Sequence, residues 1–161
     1  MSNFDIAFGD LIKTEGGWVN DSDDPGRETK FGLSQRYNPE LDIKNITIPE
    51  AKEVYFFKFW DKYKYIEIRD HKVASKLLRM SAIAGPKSAH KLIQQALMSC
   101  EVRVAWDGVL GPKTFSAINT LNGSQLLPAM KSEIAGYLRT KIALKPVKEK
   151  YRSGWMKRAY S

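Results

Sequence analysis

The residue of this chain with the clearest chemical potential is Glu15. It follows Phe8, Leu11 and Ile12 at helical spacing, which places its carboxyl on the apolar face of a helix predicted over residues 4–15. Removal from water and the negative end of a helix both disfavour a carboxylate, so both raise its pKa. A carboxyl that stays protonated near neutral pH is what a general acid requires. The alternative is an ordinary glutamate turned to solvent at the helix end.

More carboxylates follow in a polar segment. Asp21, Asp23 and Asp24 lie close together, and the run Asp24-Pro25-Gly26 predicts a turn. Two carboxyl groups from different elements, one protonated and one ionised, are typical of glycoside hydrolysis. A calcium loop is disfavoured, because counting from Asp21 puts Pro25 at the fifth ligand position. The alternative is that these aspartates only build the turn.

Composition bounds the protein class. The 161 residues are 43% hydrophobic and 27% charged, as expected for one globular domain. A lone cysteine, Cys100, excludes an intramolecular disulfide framework and is interpreted as a small buried apolar residue. His71 and His90 are too few for a histidine-rich metal centre. We therefore expect no metal and no cofactor.

The net charge of +8 is concentrated in residues 139–161. A basic terminal segment favours anionic partners such as nucleic acid, anionic lipid or an acidic wall polymer, unless it is merely a solvated face. Neither a glycine-rich phosphate loop nor an aromatic RNA-binding motif accompanies it, so nucleic acid is not expected.

Capping residues, prolines and apolar spacing predict a mainly α fold. The predicted helices are residues 4–15 before Gly16-Gly17, a capping box at Thr47 to about Tyr63, about 73–83, one from Pro86, one from Pro112, and one from a Ser124 cap to about Leu144. Residues 20–34 are predicted to hold a short β-hairpin or irregular strand. The aromatic run over residues 55–65 is interpreted as core rather than a sugar-stacking surface.

Several blocks together resemble glycoside hydrolase family 108, the N-acetylmuramidases of phage endolysins and of some bacterial secretion systems. The amino-terminal blocks are Glu15–Asp21, Asp23–Gly26 and Glu28–Ser34. The blocks similar to that family's peptidoglycan-binding region are Gly85–Lys87, Leu92–Leu97, Asp107–Thr114 and Gly154–Arg158. The resemblance implies a lysozyme-like, two-lobed helical fold. It also implies a catalytic lobe over residues 1–85 and a helical peptidoglycan-binding lobe over residues 86–161, packed as one unit.

The resemblance also implies roles for individual residues. Glu15 matches the family's catalytic acid. Asp24 would stabilise an oxocarbenium-like transition state or activate water, and Thr29 would position that water. Asp21 and Asp23 lie close enough to compete with Asp24 for this role.

We further expect substrate contacts and one departure from the family pattern. The expected substrate-binding residues are Trp18, Lys30, Phe31 and Trp106. Where the family usually has an aspartate and an asparagine, this chain has Arg79 and Ile83. If those polar groups normally orient the cleft, substrate preference differs here.

The implied function is hydrolysis of the β-1,4 bond between N-acetylmuramic acid and N-acetylglucosamine, for host lysis. The alternatives are a non-catalytic wall-binding module and a basic protein that acts on membranes through anionic lipid. The expected partner is bacterial peptidoglycan, and we expect a monomer. Met1–Asp5 opens no cleavable signal peptide, so we expect synthesis in the cytoplasm and action in the periplasm or cell wall.

Overall fold

The structure, a computed structural model, describes residues 2–20 and 28–161, and only the backbone of residues 18–20. Its α-helices are α1 (Asn3–Glu15), α2 (Ile48–Tyr55), α3 (His71–Ala84), α4 (Pro86–Ser99), α5 (Pro112–Thr120), α6 (Gly123–Leu144) and α7 (Arg152–Tyr160). Shorter helical segments are a π-helical turn (Phe56–Asp61) and 3-10 turns at Tyr65–Glu67 and Pro146–Tyr151. The mainly α class predicted from the sequence is confirmed.

The predicted β region is an antiparallel sheet of three short strands. These are β1 (Trp18–Asn20), β2 (Glu28–Lys30) and β3 (Leu33–Ser34), in the order β1-β2-β3. The β2–β3 turn has two residues, Phe31 at φ 53° and Gly32 at φ 78°. Two left-handed residues in succession are the geometry of the tight hairpin turn whose twist matches its strands.

Helix α1 begins with a capping box that the sequence analysis did not identify. The Ser2 hydroxyl accepts from the Asp5 amide (3.2 Å), and the Asp5 carboxylate accepts from the Ser2 amide (2.9 Å). The buried face consists of Phe4, Ala7, Phe8, Leu11 and Glu15. The helix ends at Glu15, and Gly17 at φ 98° then turns the chain into β1.

Helix α2 starts at the predicted capping box, where Thr47 and Glu50 satisfy each other's amides. It gives way at Phe56 to a π-helical turn instead of continuing as an α-helix to Tyr63. The core interpretation of the aromatic run is right for Tyr55, Trp60 and Tyr65, which are almost fully buried. Phe57 is the exception, at 64% exposed.

Helix α3 is the central element. Every residue from Val73 to Ser81 is buried, and the helix packs against α1, α4 and α6. A helix buried on all sides is normally apolar throughout, yet α3 carries Lys76 and Arg79. Both cations contact the carboxyl end of α7.

Three details differ from the sequence analysis. Asn122, not Ser124, caps α6: its side-chain oxygen accepts the Ser124 amide at 3.0 Å, and the helix starts two residues earlier than predicted. Cys100 is half-buried rather than buried, because it lies at the end of α4. Helix α7 lacks the apolar periodicity needed to predict it. No helix in the described ranges is long and apolar enough to cross a lipid bilayer.

Candidate active site

Glu15 is the last residue of α1 and points into the protein. Its side chain is 7% exposed, and Phe8 and Leu11 on the same helix face lie in the core. Oε1 is buried without a hydrogen-bond partner among the described residues. A carboxyl in this position pays the cost of leaving water, which favours its neutral form.

Two arginines from distant parts of the chain act on this carboxyl. Nη1 of Arg158 on α7 lies 3.2 Å from Oε2 of Glu15, and Arg79 on α3 adds a second positive charge nearby. Burial raises the pKa of Glu15 above its ordinary value, while Arg158 and, less strongly, Arg79 oppose the rise. The net direction is upward. Glu15 is thus a carboxyl whose burial favours the protonated acid, beside two cations suited to its conjugate base.

The β2–β3 turn closes the site from the opposite side. A Cβ placed on Gly32 would lie 3.4 Å from the Cβ of Glu15 and 2.6 Å from the Tyr55 hydroxyl oxygen. The Tyr55 hydroxyl donates to the carbonyl oxygen of Phe31 at 3.0 Å. Burial, with the nearby Glu15 charge, raises the pKa of Tyr55, so its hydroxyl stays neutral and keeps this bond. Helix α2 therefore fixes the turn that packs on Glu15.

The expected hairpin residues adjoin this turn. Thr29 is half-buried in β2 and pairs with Val19 and Ser34. The Lys30 ammonium donates to the Lys44 carbonyl oxygen at 3.1 Å and lies 5.3 Å from the Phe31 ring centre. Phe31 packs partly against the core. All three belong to the hairpin whose turn residue Gly32 packs on Glu15. The proposed role of Thr29 in positioning water and those of Lys30 and Phe31 in substrate binding stay predictions.

Some expected site residues cannot be placed. Asp24, with its competitors Asp21 and Asp23, lies outside the described residues, and so does the Trp18 side chain. Their proposed roles stay predictions. Within residues 2–20 and 28–161, no three histidine, cysteine or acidic side chains are grouped so that they could hold a metal ion.

Trp106 lies apart from the β2–β3 turn, in the segment between α4 and α5. It is 56% exposed, and the Lys91 ammonium lies 4.5 Å from its ring centre. The following turn is rigid, because Gln94 donates to the Asp107 carboxylate (2.9 Å) and accepts from the Gly108 amide (2.9 Å). An exposed indole on a fixed turn is a suitable surface for a sugar ring or peptide.

The two departures from the family pattern have different surroundings. Arg79 is 9% exposed, and its guanidinium faces both Glu15 and the carboxyl end of the chain. Ile83 is half-buried against the core. Sequence reasoning singled out Arg79 only as an anomaly, and it did not identify Arg158 or Tyr55 as site residues. The one signal for Arg158 was its place in the Gly154–Arg158 block.

A buried carboxyl with a raised pKa supplies one of the two carboxyl groups that glycoside hydrolysis uses. The comparisons agree. Residues 8–85 match the family model described as Glycosyl hydrolase 108, and residues 88–160 match the model described as Predicted Peptidoglycan domain. The amino-terminal part of the chain thus matches a family of glycosidases, and the carboxyl-terminal part matches a peptidoglycan-binding region.

The fold has a counterpart among solved structures. The structure titled "Structure of Brucella abortus SagA" is 22% identical, with a TM-score of 0.79 over 97% of this chain and 88% of that one. At this identity the likeness concerns the fold, and the expected lysozyme-like helical class is confirmed. No curated protein matches the chain at a significant level.

Proposed function

We propose that this protein is an N-acetylmuramidase that cuts the β-1,4 bond between N-acetylmuramic acid and N-acetylglucosamine, with Glu15 as its general acid. The observation that carries the proposal is the buried carboxyl of Glu15 at the end of α1, whose pKa is raised by that burial. The matches to a family of glycosidases and to a peptidoglycan-binding region support the substrate class.

In the proposed reaction, Glu15 transfers its proton to the glycosidic oxygen as the bond from that oxygen to the anomeric carbon breaks. Positive charge then develops on the sugar ring while Glu15 becomes a carboxylate. Arg158, 3.2 Å away, stabilises that new negative charge. Water adds to the anomeric carbon and gives up one proton to a carboxylate, either Asp24 or the ionised Glu15, which leaves a reducing muramic acid end. Asp24 would assist the cationic ring or the water, and Thr29 would position the water, as the family resemblance implies.

The biological setting is also part of the proposal. We infer that the protein acts as a monomer on peptidoglycan in the periplasm or wall and serves host lysis. Light scattering of the purified protein tests the monomer. Lysis of a host culture after expression, with and without a membrane lesion, tests the route to the wall.

The decisive experiment is digestion of purified peptidoglycan by wild type and by Glu15→Gln, followed by borohydride reduction and mass spectrometry of the soluble fragments. We expect wild type alone to give fragments ending in reduced muramic acid. The exposed Glu53 on α2 supplies a matched control, since Glu53→Gln removes one carboxylate without touching the site. Reduced glucosamine ends, cleaved peptides or full activity of Glu15→Gln would each contradict the proposal.

One observation favours a second candidate activity, on membranes. Leu144 and Val147 are 74% and 59% exposed next to Lys145 and Lys148, a combination that suits an anionic lipid surface. Leakage of vesicles containing anionic lipid, retained in Glu15→Gln, would support this activity. A wall-binding module without cleavage is the remaining alternative, and sedimentation with peptidoglycan in the absence of soluble products would identify it.

A further inference from the structure

The carboxyl end of α7 is held by two cations from the centre of the protein. The Lys76 ammonium donates to the carbonyl oxygens of Ala159 (2.5 Å) and Arg158 (3.3 Å). The Arg79 guanidinium donates to the Arg158 carbonyl oxygen (3.4 Å) and to the Ser161 hydroxyl. The last carbonyls of a helix have no partners within the helix and carry partial negative charge, so cations satisfy them well.

Arg158 connects this anchor to the active site. Its backbone carbonyl oxygen accepts from Lys76, from Arg79 and from the Ser161 hydroxyl (3.0 Å). Its side chain reaches in the other direction, to the Glu15 carboxylate at 3.2 Å. Because one residue makes both sets of contacts, the position of its guanidinium depends on how firmly its backbone is held.

The burial of Lys76 and Arg79 also indicates that their contacts with α7 hold that helix in place. Lys76 is 3% exposed and Arg79 is 9% exposed, and a buried cation needs compensating contacts. For Lys76 the hydrogen-bond acceptors in the described part of the chain are the carbonyls of α7, reached across the core. Burial, with Arg79 and Lys131 nearby, lowers the pKa of Lys76 to about 7. Whether charged or neutral, the amine remains a donor to those carbonyls.

We infer that Lys76 and Arg79 are positioning residues: by holding the last turn of α7 they place the Arg158 guanidinium on Glu15, so that residues 158–161 form part of the active site. This inference rests on the proposed role of Glu15 as the general acid. The charged and titratable groups facing Glu15 from the described elements are Arg158 of α7, Arg79 of α3 and the Tyr55 hydroxyl of α2. Lys76 contacts none of the reacting atoms and acts through Arg158.

The test measures the Glu15 carboxyl directly, by carbon-detected NMR titration of the folded protein without substrate. Lys76→Met keeps an unbranched side chain and removes the donor. We expect it to raise the Glu15 pKa in the same direction as Arg158→Gln, for which the shift is about one unit. The double variant Lys76→Met/Arg158→Gln should match Arg158→Gln alone, because the Lys76 effect passes through Arg158.

Two further variants separate the positioning effect from a loss of folding and from a simple loss of positive charge. Ser161→Ala removes an Arg79 contact without altering net charge, and a smaller rise of the Glu15 pKa is expected. Lys72→Met removes an exposed cation from the start of α3 and should leave the Glu15 pKa unchanged. An unchanged pKa in both Lys76→Met and Ser161→Ala, or additive effects of Lys76→Met and Arg158→Gln, would overturn the inference.

The inference and the proposed function can fail separately. If Glu15→Gln keeps its activity, Glu15 is not the general acid, although Lys76 still controls the ionisation of Glu15. If Lys76→Met leaves the Glu15 pKa unchanged while Glu15→Gln is inactive, the enzyme stands and the positioning role is wrong. The alkaline limb of kcat/KM in Lys76→Met should follow the Glu15 pKa measured by NMR.

Discussion

Arg158, three residues from the carboxyl terminus, lies 3.2 Å from Glu15 at the end of the first helix. Two opposing effects therefore act on this carboxyl. Its burial favours the protonated acid, and the Arg158 guanidinium favours the carboxylate left after proton transfer. The net effect raises the pKa of Glu15, while the guanidinium stabilises its conjugate base.

Removing the guanidinium should shift the pH dependence of cleavage. Since Glu15 must be protonated to act, kcat/KM falls as pH rises through its pKa. Arg158→Gln raises that pKa, so the alkaline limb should move up by about one unit while kcat at the optimum falls about tenfold. Arg152→Gln is the control, because Arg152 lies on the same helix but pairs with the exposed Glu149. An alkaline limb that does not move would contradict this balance.

Gly32 should be intolerant of any side chain. Its φ of 78° strains other residues, and an added Cβ would lie 2.6 Å from the Tyr55 hydroxyl oxygen. We expect Gly32→Ala to reduce the free energy of unfolding by about 2–3 kcal/mol and to impair cleavage. Gly17→Ala is the control, since Gly17 also has a positive φ (98°) and has open space around its Cβ position. Urea unfolding of both variants separates the cost of the positive φ from the cost of the close contact with Tyr55. Equal losses in the free energy of unfolding would show that the contact with Tyr55 is relieved without cost.

His90 should make the fold sensitive to mild acid. Its Nδ1 bonds the Gly108 carbonyl oxygen (3.0 Å), which leaves Nε2 to accept from the Tyr65 hydroxyl (2.8 Å). Burial lowers the pKa of His90 despite the opposing Gly108 bond. The unfolded chain therefore binds more protons below about pH 6.5, and the free energy of unfolding falls as pH decreases from there.

The measurement for His90 is urea unfolding at pH 7 and pH 5. His90→Gln should be less stable overall, yet lose the part of the pH dependence that lies between these values. His71→Gln, at the exposed first residue of α3, should keep the wild-type dependence. Carboxyls with a lowered pKa, such as those of Glu40 and Glu50, titrate below this window. An unchanged pH dependence in His90→Gln would refute the assignment.

Trp106 should contribute to retention on the wall. We expect Trp106→Ala to weaken sedimentation with insoluble peptidoglycan about fivefold, at an unchanged melting temperature, because an exposed indole offers a large rigid contact area. Phe57→Ala removes another exposed aromatic side chain, from the surface beside α2, and should bind as wild type does. Equal losses in both variants would indicate non-specific adhesion instead.

Local signals in the sequence were sufficient for most helices. The capping box at Thr47 and the prolines at positions 86 and 112 act within one turn, so the starts of α2, α4 and α5 follow from neighbouring residues. The apolar spacing of α1 made a buried Glu15 one of two alternatives, and the structure shows the buried one. Helix α7 could not be predicted, because its stability comes from docking on α3 and α6 rather than from its own pattern.

The sequence could not predict that Arg158 and Arg79 lie beside Glu15, for a related reason. Arg158 and Glu15 are at opposite ends of the chain, and only packing brings them together. Arg79 was visible as an unusual residue, but nothing local indicated that its partners would be Arg158 and Ser161. Long-range pairings of this kind require the three-dimensional arrangement.

The docking of α7 limits how this protein can be recombined. A chimera that takes residues 8–85 from one relative and residues 88–160 from another would also replace the arginine beside the acid and the helix end that its α3 must hold. Matched pairs of α3 and α7 would have to be exchanged together.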